Sequence, residues 1–221
     1  MQSGEQRIFW DRHITAWSAS AYERTKQLPF LEKIAQPFRK HLQERQDMAV
    51  AMLLRWSPTT VLELGCGTGE FASATLRASP TIKRYTAIDI SDVAIVKAAE
   101  RVRQSVERDI DLTVRSGSVE DLAPSAFEDF DAVVGLGLLP YLTDAGFENL
   151  STICRNKRFL LDDHPKEPTF FNGLHFLYRA AKKYPFYRRF SEAELKETLG
   201  RFGFAEFEVI RKGPLRFIRS V

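Results

Sequence analysis

Three glycines spaced one apart, Gly65, Gly67 and Gly69, follow the apolar pair Val61-Leu62 and the acid Glu63. An apolar helical pattern (Phe71, Ala74, Thr75, Leu76) comes directly after them. The stretch reads as a strand, a tight turn and a helix N-terminus. Glycine is needed where a backbone turns sharply or approaches a ligand more closely than a Cβ allows. The helix that follows offers unpaired N–H groups and a positive dipole end to a negative group. Two phosphate-binding readings of such a turn fail. The dinucleotide fingerprint needs a glycine at its sixth position, where Glu70 stands, and no Lys-Ser or Lys-Thr pair follows to make a P-loop.

What remains resembles motif I of the class I S-adenosylmethionine-dependent methyltransferases: two hydrophobic residues, Glu or Asp, then Gly-x-Gly-x-Gly. The resemblance implies S-adenosylmethionine as cofactor, released as S-adenosylhomocysteine. Its methionine carboxylate would sit at the helix N-terminus, over the turn of Gly65, Cys66, Gly67 and Gly69, and its ammonium near backbone carbonyls and Glu63. A second piece, Tyr85-Thr86-Ala87-Ile88-Asp89-Ile90, is a strand ending on an acid about 20 residues past the glycines, where a carboxylate grips ribose hydroxyls. Ile90 would lie against the adenine. A third strand, Leu112-Thr113-Val114, leads into Gly117-Ser118-Val119-Glu120. The family often has Asp after that glycine to receive the adenine amine. Ser118 stands there instead, so the adenine is expected on backbone groups and on Ile90 and Val119. The fourth piece runs from Phe130 to Leu142, and its strand brings Gly135 to the crevice where the loop lines the donor methyl.

On the acceptor side the donor is a sulfonium, already activated, so alignment is the main requirement. A hydroxyl acceptor also calls for a base, and the candidates are Tyr141, past the fourth strand, and His164, past the fifth. His164 is one of four histidines and has a suitable pKa range. The run Asp162-Asp163-His164 raises a metal question, since one branch of the family uses magnesium with a carboxylate directly after the fourth strand. Gly135-Leu136-Gly137 stands there and cannot ligate, so no metal is expected. The magnesium-protoporphyrin methyltransferase group is similar in its fifth-strand insertion and its tail. Its members carry a His after the fourth strand, and by spacing Tyr141 takes that place.

The elements that must position these residues alternate. Strands are expected at 61–64, 84–89, 111–115, 131–135 and 158–162, and helices at 70–78, 92–107 and 144–154. Ser91 caps the second of these helices, whose apolar face reads Val93, Ala94, Val96, Val102 and Val106. Such alternation implies a mostly parallel sheet covered on both faces. Ser191 and Glu194 form a capping box before a helix that Gly203 stops, and two strands follow at 205–211 and 215–220. In the family this last pair is an antiparallel hairpin, so the fold expected is α/β, a doubly wound, mostly parallel sheet of seven strands. Residues 1–57 read as an N-terminal helical arm, with Ile8, Phe9, Trp10, Ile14 and Trp17 at helical spacing, similar to the aromatic lids of small-molecule methyltransferases. Residues 58–221 form the cofactor domain, with an acceptor-side insertion at 163–190. In that insertion five basic residues lie between 179 and 189 among aromatics and without an acid, which suits an acidic acceptor, a membrane surface or ordinary packing.

The chain has 221 residues, 44% hydrophobic and 28% charged, enough for one large domain of an ordinary globular protein. A net charge of +3 is too mild to argue for nucleic acid. The two cysteines, Cys66 and Cys154, suggest no disulfide framework and a reducing, cytoplasmic setting. The N-terminus lacks the apolar core of a signal peptide. The function expected is methyl transfer to a small-molecule acceptor, at oxygen, in a biosynthetic pathway. The readings left open are N-methylation of a small amine, methylation of RNA or protein, and cofactor binding without catalysis. The sequence leaves the oligomeric state open.

Overall fold

The computed structural model describes residues 2–22, 29–163, 165–166, 187–213 and 215–221. His164 and most of the insertion lie outside the described residues. The chain opens with two helices, α1 (Gln2–Tyr22) and α2 (Pro29–Leu54). The alternating part follows: β1 (Thr60–Leu64), α3 (Glu70–Ala78), β2 (Arg84–Asp89), α4 (Asp92–Ser105), β3 (Asp111–Ser116), β4 (Ala132–Gly135), α5 (Asp144–Cys154) and β5 (Arg158–Asp163). The tail adds α6 (Glu192–Arg201), β6 (Phe207–Lys212) and β7 (Leu215–Ser220).

The strands form one seven-stranded sheet in the order β3-β2-β1-β4-β5-β7-β6. The first five are parallel, and β7 runs antiparallel to both β5 and β6. The chain order reverses between β1 and β4, so the carboxyl ends of those strands open a crevice. Alternate residues of each strand feed opposite faces of the sheet. Val61, Tyr85, Ala132, Val134 and Leu160 pack with Ala49 and Leu53 of α2 and with α3 and α4. Leu62, Ile88, Val133 and Leu161 pack on the other face with α5 and α6. Helix α2 is therefore part of the core. Among the described residues no helix is long and apolar enough to cross a membrane.

Helix α3, strand β2 and helix α5 have the bounds that periodicity suggested. Both expected caps are present. The Ser91 hydroxyl accepts from Ala94 N–H at 3.1 Å, and the Ser191–Glu194 box is complete. One face needs correction. In α4 it is Ala94, Ala98 and Val102 that turn inward, while Val96 is 69% exposed and Val93 is also exposed. The valines drew the eye by hydrophobicity, but the small alanines let the helix lie close against α3. Strand β6 starts at Phe207, not at 205, because Glu206 takes a left-handed φ of 50° and breaks the extended run.

The Asp162-Asp163 pair is split by the strand's own alternation. Asp163 receives the Nε of Arg216 at 2.6 Å and, as a second bond, one of its terminal nitrogens, tying β5 to β7. The same guanidinium donates to the Phe190 carbonyl at 2.6 Å. Asp162 faces the crevice side and helix α2.

Candidate active site

A cavity of about 170 Å³ lies over the carboxyl ends of the sheet. Its lining falls into two sets by chain position, Gly65, Gly67, Asp89, Ile90, Ser118 and Val119 as one side, and Trp10, Ile14, Leu42, Arg45, Leu138, Tyr141 and Tyr187 as the other. Of the expected cofactor-binding and catalytic residues, these first six and Tyr141 share one cavity.

The first side is assembled by main chain. The N–H groups of Gly65 and Cys66 both donate to the Ile88 carbonyl, at 2.8 and 3.1 Å, which seats the turn on the end of β2. Asp89 accepts from Gly67 N–H at 2.8 Å through one carboxylate oxygen and from Ser91 N–H at 2.9 Å through the other. Burial pushes the Asp89 carboxyl above its ordinary range, while the N–H groups of Ser91, Gly67 and Ile90 pull it back. Two carbonyls of the next loop, those of Val119 and Leu122, are held by the side-chain amide of Asn149 at 2.6 and 2.7 Å.

Four other residues of the expected cofactor set do not border the cavity. Glu63 is 2% exposed beneath the turn and accepts the Tyr85 hydroxyl at 2.9 Å. Burial pushes its carboxyl up to about 8, the nearby Glu70 and Asp89 adding to the rise and the Tyr85 hydrogen bond opposing it. Cys66 is buried, and its thiol is pushed up by burial first and by Glu63 and Asp89 next. Gly69 has φ 82°, and a Cβ there would stand 2.9 Å from the Cα of Ala98, so its role is the close approach of α3 to α4. Gly135 is closed in the same way: a Cβ would meet Leu161 at 3.0 Å and Leu138 at 3.1 Å. The spacing that marks a glycine turn does not separate the glycines that border the cavity from those packed against neighbouring elements.

The second side is assembled by side chains from distant elements. Leu139–Tyr141 is a single 3-10 turn. The Gln6 amide of α1 donates to the Tyr141 carbonyl at 3.0 Å, and Arg188 N–H donates to the Pro140 carbonyl at 2.7 Å. The Tyr141 ring stands edge-on between Trp10 at 5.5 Å and Tyr187 at 5.4 Å. Helix α1 is fixed at its middle as well, where the Ser91 hydroxyl donates to Asp11 at 2.6 Å. His13, by contrast, stacks on Phe9 at 4.3 Å within its own helix.

The residue that sequence reasoning missed is Arg45. It pairs with Asp162 at 3.3 Å, and both side chains are largely buried, at 11% and 3% exposure. Asp162 also accepts the Gly137 N–H of the loop after β4. A signal was present. Leu42, Gln46, Ala49 and Leu53 form the buried face of α2, and Arg45 sits between the first two of them, a basic residue where a core residue is due. Among the described residues no group of three or more His, Cys, Asp and Glu could hold a metal ion.

Residues 61–157 match the family described as a methyltransferase domain. The demethylmenaquinone methyltransferase of Porphyromonas gingivalis is 34% identical over 94 residues, which are 42% of this chain and 38% of that protein. The chain thus spans well under half the length of this curated relative. The crystal structure of magnesium protoporphyrin IX methyltransferase from Synechocystis PCC 6803 with bound S-adenosylhomocysteine has a TM-score of 0.74 at 19% identity, covering 99% of this chain and 98% of that one. Phosphoethanolamine N-methyltransferase 2 of Haemonchus contortus, in complex with phosphomonomethylethanolamine and S-adenosylhomocysteine, has a TM-score of 0.65 at 18% identity, over 94% of this chain and 46% of that one. At such identities the two structures speak for the fold. Residues 61–157 are thus similar in sequence to a methyltransferase domain, and the strand order and glycine turn agree with the class I S-adenosylmethionine-dependent methyltransferase fold.

Proposed function

We propose that the chain moves the methyl group of S-adenosylmethionine to an oxygen of a small-molecule acceptor in a biosynthetic pathway. The observation that carries the reading is the single cavity, which joins the Gly65–Gly67 turn, Asp89, Ile90, Ser118 and Val119 to the aromatic wall of Trp10, Tyr141 and Tyr187. The first side would hold the donor, with Asp89 on the ribose and Ile90 and Val119 against the adenine. Glu63 acts from below, by supporting the turn. The second side would hold the acceptor, roofed by residues of the 1–57 arm. The methyl leaves a sulfonium in an in-line displacement, and alignment of the two partners is worth about 7–11 kcal/mol of barrier in well-oriented systems. Tyr141 shapes the acceptor wall, and His164, which follows β5 in sequence, is the residue we assign to take the proton of a hydroxyl. The loop after β4 reads Gly137-Leu138-Leu139-Pro140-Tyr141 and lacks the Asn/Asp-Pro-Pro-Tyr/Phe pattern that amino-group methylators of bases carry, which disfavours a nucleic-acid acceptor.

Calorimetry tests the donor half. Both S-adenosylmethionine and S-adenosylhomocysteine should bind without added metal, and NAD should not. Asp89→Ala should weaken binding by about 1.5–3 kcal/mol, the worth of hydrogen bonds to a charged group. Equal binding of NAD, or none of either adenosyl ligand, would sink the reading. Mass spectrometry of a metabolite extract incubated with labelled donor then finds the atom that gains the methyl.

A further inference from the structure

We infer that Arg45 is the anchor for a carboxylate of the acceptor, so that the substrate class is an organic acid with an apolar body. The inference rests on the methyl-transfer reading of the cavity. Arg45 is the only cation among the described residues that line it. The acids Asp89 and Glu120 line it elsewhere. Strands β2 and β5 are separated by β1 and β4. Three interstrand steps of roughly 4.8 Å put Asp89 and Asp162 about 14 Å apart across the crevice. Along its length the cavity lining carries acids toward β2 and β3 and, toward β5, a guanidinium whose carboxylate partner Asp162 does not itself line the cavity. An anionic substrate is repelled at one end and received at the other.

The guanidinium is also held for the task. Asp162 is almost fully buried and pairs with Arg45 at 3.3 Å, while its other oxygen takes the Gly137 N–H. The pair thus locks the position of Arg45 to the main chain of the loop beyond β4. Five donors in one plane let a guanidinium hold more than one acceptor at once, and its fork matches a carboxylate. The apolar residues Trp10, Leu42, Leu136 and Leu138 line the same cavity. Apolar surroundings strengthen a charge-assisted hydrogen bond and make the loss of one costly. The sequence reading expects the donor's own carboxylate at the Gly65–Gly69 turn, and Arg45 belongs to a different element of the lining, α2.

The test uses the whole chain saturated with S-adenosylhomocysteine. Benzoate, trans-cinnamate and octanoate are titrated against their amides, which keep the shape and lose the charge. At least one acid should bind about tenfold or more tighter than its amide, as a charge-assisted pair requires. That preference should vanish in Arg45→Gln. It should vanish equally in Arg45→Gln/Asp162→Asn, which keeps an acceptor for Gly137 and leaves no lone buried charge. The inference is overturned if no acid is preferred, or if the preference survives in both variants. It is also overturned if both variants lose S-adenosylhomocysteine tenfold while 5′-methylthioadenosine, which lacks the carboxylate, binds as before. Arg45 would then serve the donor. If the unaltered protein fails to bind S-adenosylhomocysteine, the methyl-transfer reading falls instead, and the acid–amide comparison is read on the unloaded chain.

Discussion

Toward β1 and β2 the cavity wall is main chain. Gly65, Cys66 and Gly67 are stitched to Ile88 and Asp89 by N–H groups across 22 or 23 residues of sequence. The rest of the lining is side chain, and it comes from α1, α2, the turn at 139–141 and Tyr187. Gln6 reaches Tyr141 across 135 residues of sequence. A wall of backbone presents the same groups whatever the side chains are, and it suits an invariant ligand. A wall of side chains can be rebuilt by substitution without disturbing the sheet, and it suits the substrate that differs from one protein to the next. Four expectations press on this contrast.

The largest effect lies beneath the backbone wall. Glu63 is protonated in the fold up to about pH 8, against an ordinary value of 4.5. Between those values the folded chain holds a proton that the unfolded chain has released. Stability should therefore fall as pH rises through this window, with a slope on the order of 1.4 kcal/mol per pH unit for one proton. Glu63→Gln, which still accepts the Tyr85 hydroxyl, should flatten the slope when urea unfolding is compared at pH 5.5, 7 and 8.5. An unchanged slope would mean that the turn does not rest on a neutral carboxyl.

Next comes Gly69→Ala. Its Cβ would press on the Ala98 backbone at 2.9 Å in a left-handed conformation. Overpacking and positive-φ strain together should cost roughly 2–4 kcal/mol in chemical denaturation. Wild-type stability would show that α4 can move away from the turn.

On the other wall, Trp10→Ala should lower acceptor methylation by about tenfold or more, through a misplaced substrate. Donor affinity should stay within about threefold, since the contacts proposed for the donor are those of Asp89, Ile90 and Val119. A loss of donor binding equal to the loss of turnover would erase the division between the walls. The smallest change is expected for Ser118→Ala, under about 1 kcal/mol in donor affinity, the range of a neutral hydrogen bond. A loss several times larger would place adenine recognition on that hydroxyl.

What the sequence made legible follows the same division. The strand–turn–helix at 61–78 and the acid that ends β2 are local patterns, and short-range periodicity finds them. The side-chain wall depends on residues brought together from afar. Arg45 and Asp162 meet across 117 positions, and neither segment by itself names the other as its partner. Val96 misled for the opposite reason: its hydrophobicity is real, but α4 is set by how closely Ala94 and Ala98 let it approach. His164 and the stretch 167–186 lie outside the described residues, so the expectations placed there stand as sequence readings.

One small link has a larger thermodynamic reach. The Ser91 N–H braces Asp89, and the Ser91 hydroxyl donates to Asp11 of α1. A ligand that steadies Asp89 therefore steadies the place where the arm is fastened. Coupling of this kind is reciprocal: the factor by which a bound nucleoside favours the fastened arm is the factor by which the fastened arm favours the nucleoside. A chain with its first helix cut away would bind donor more weakly by that factor and no more, and hydrogen exchange in α1 would slow by the same factor when donor is added.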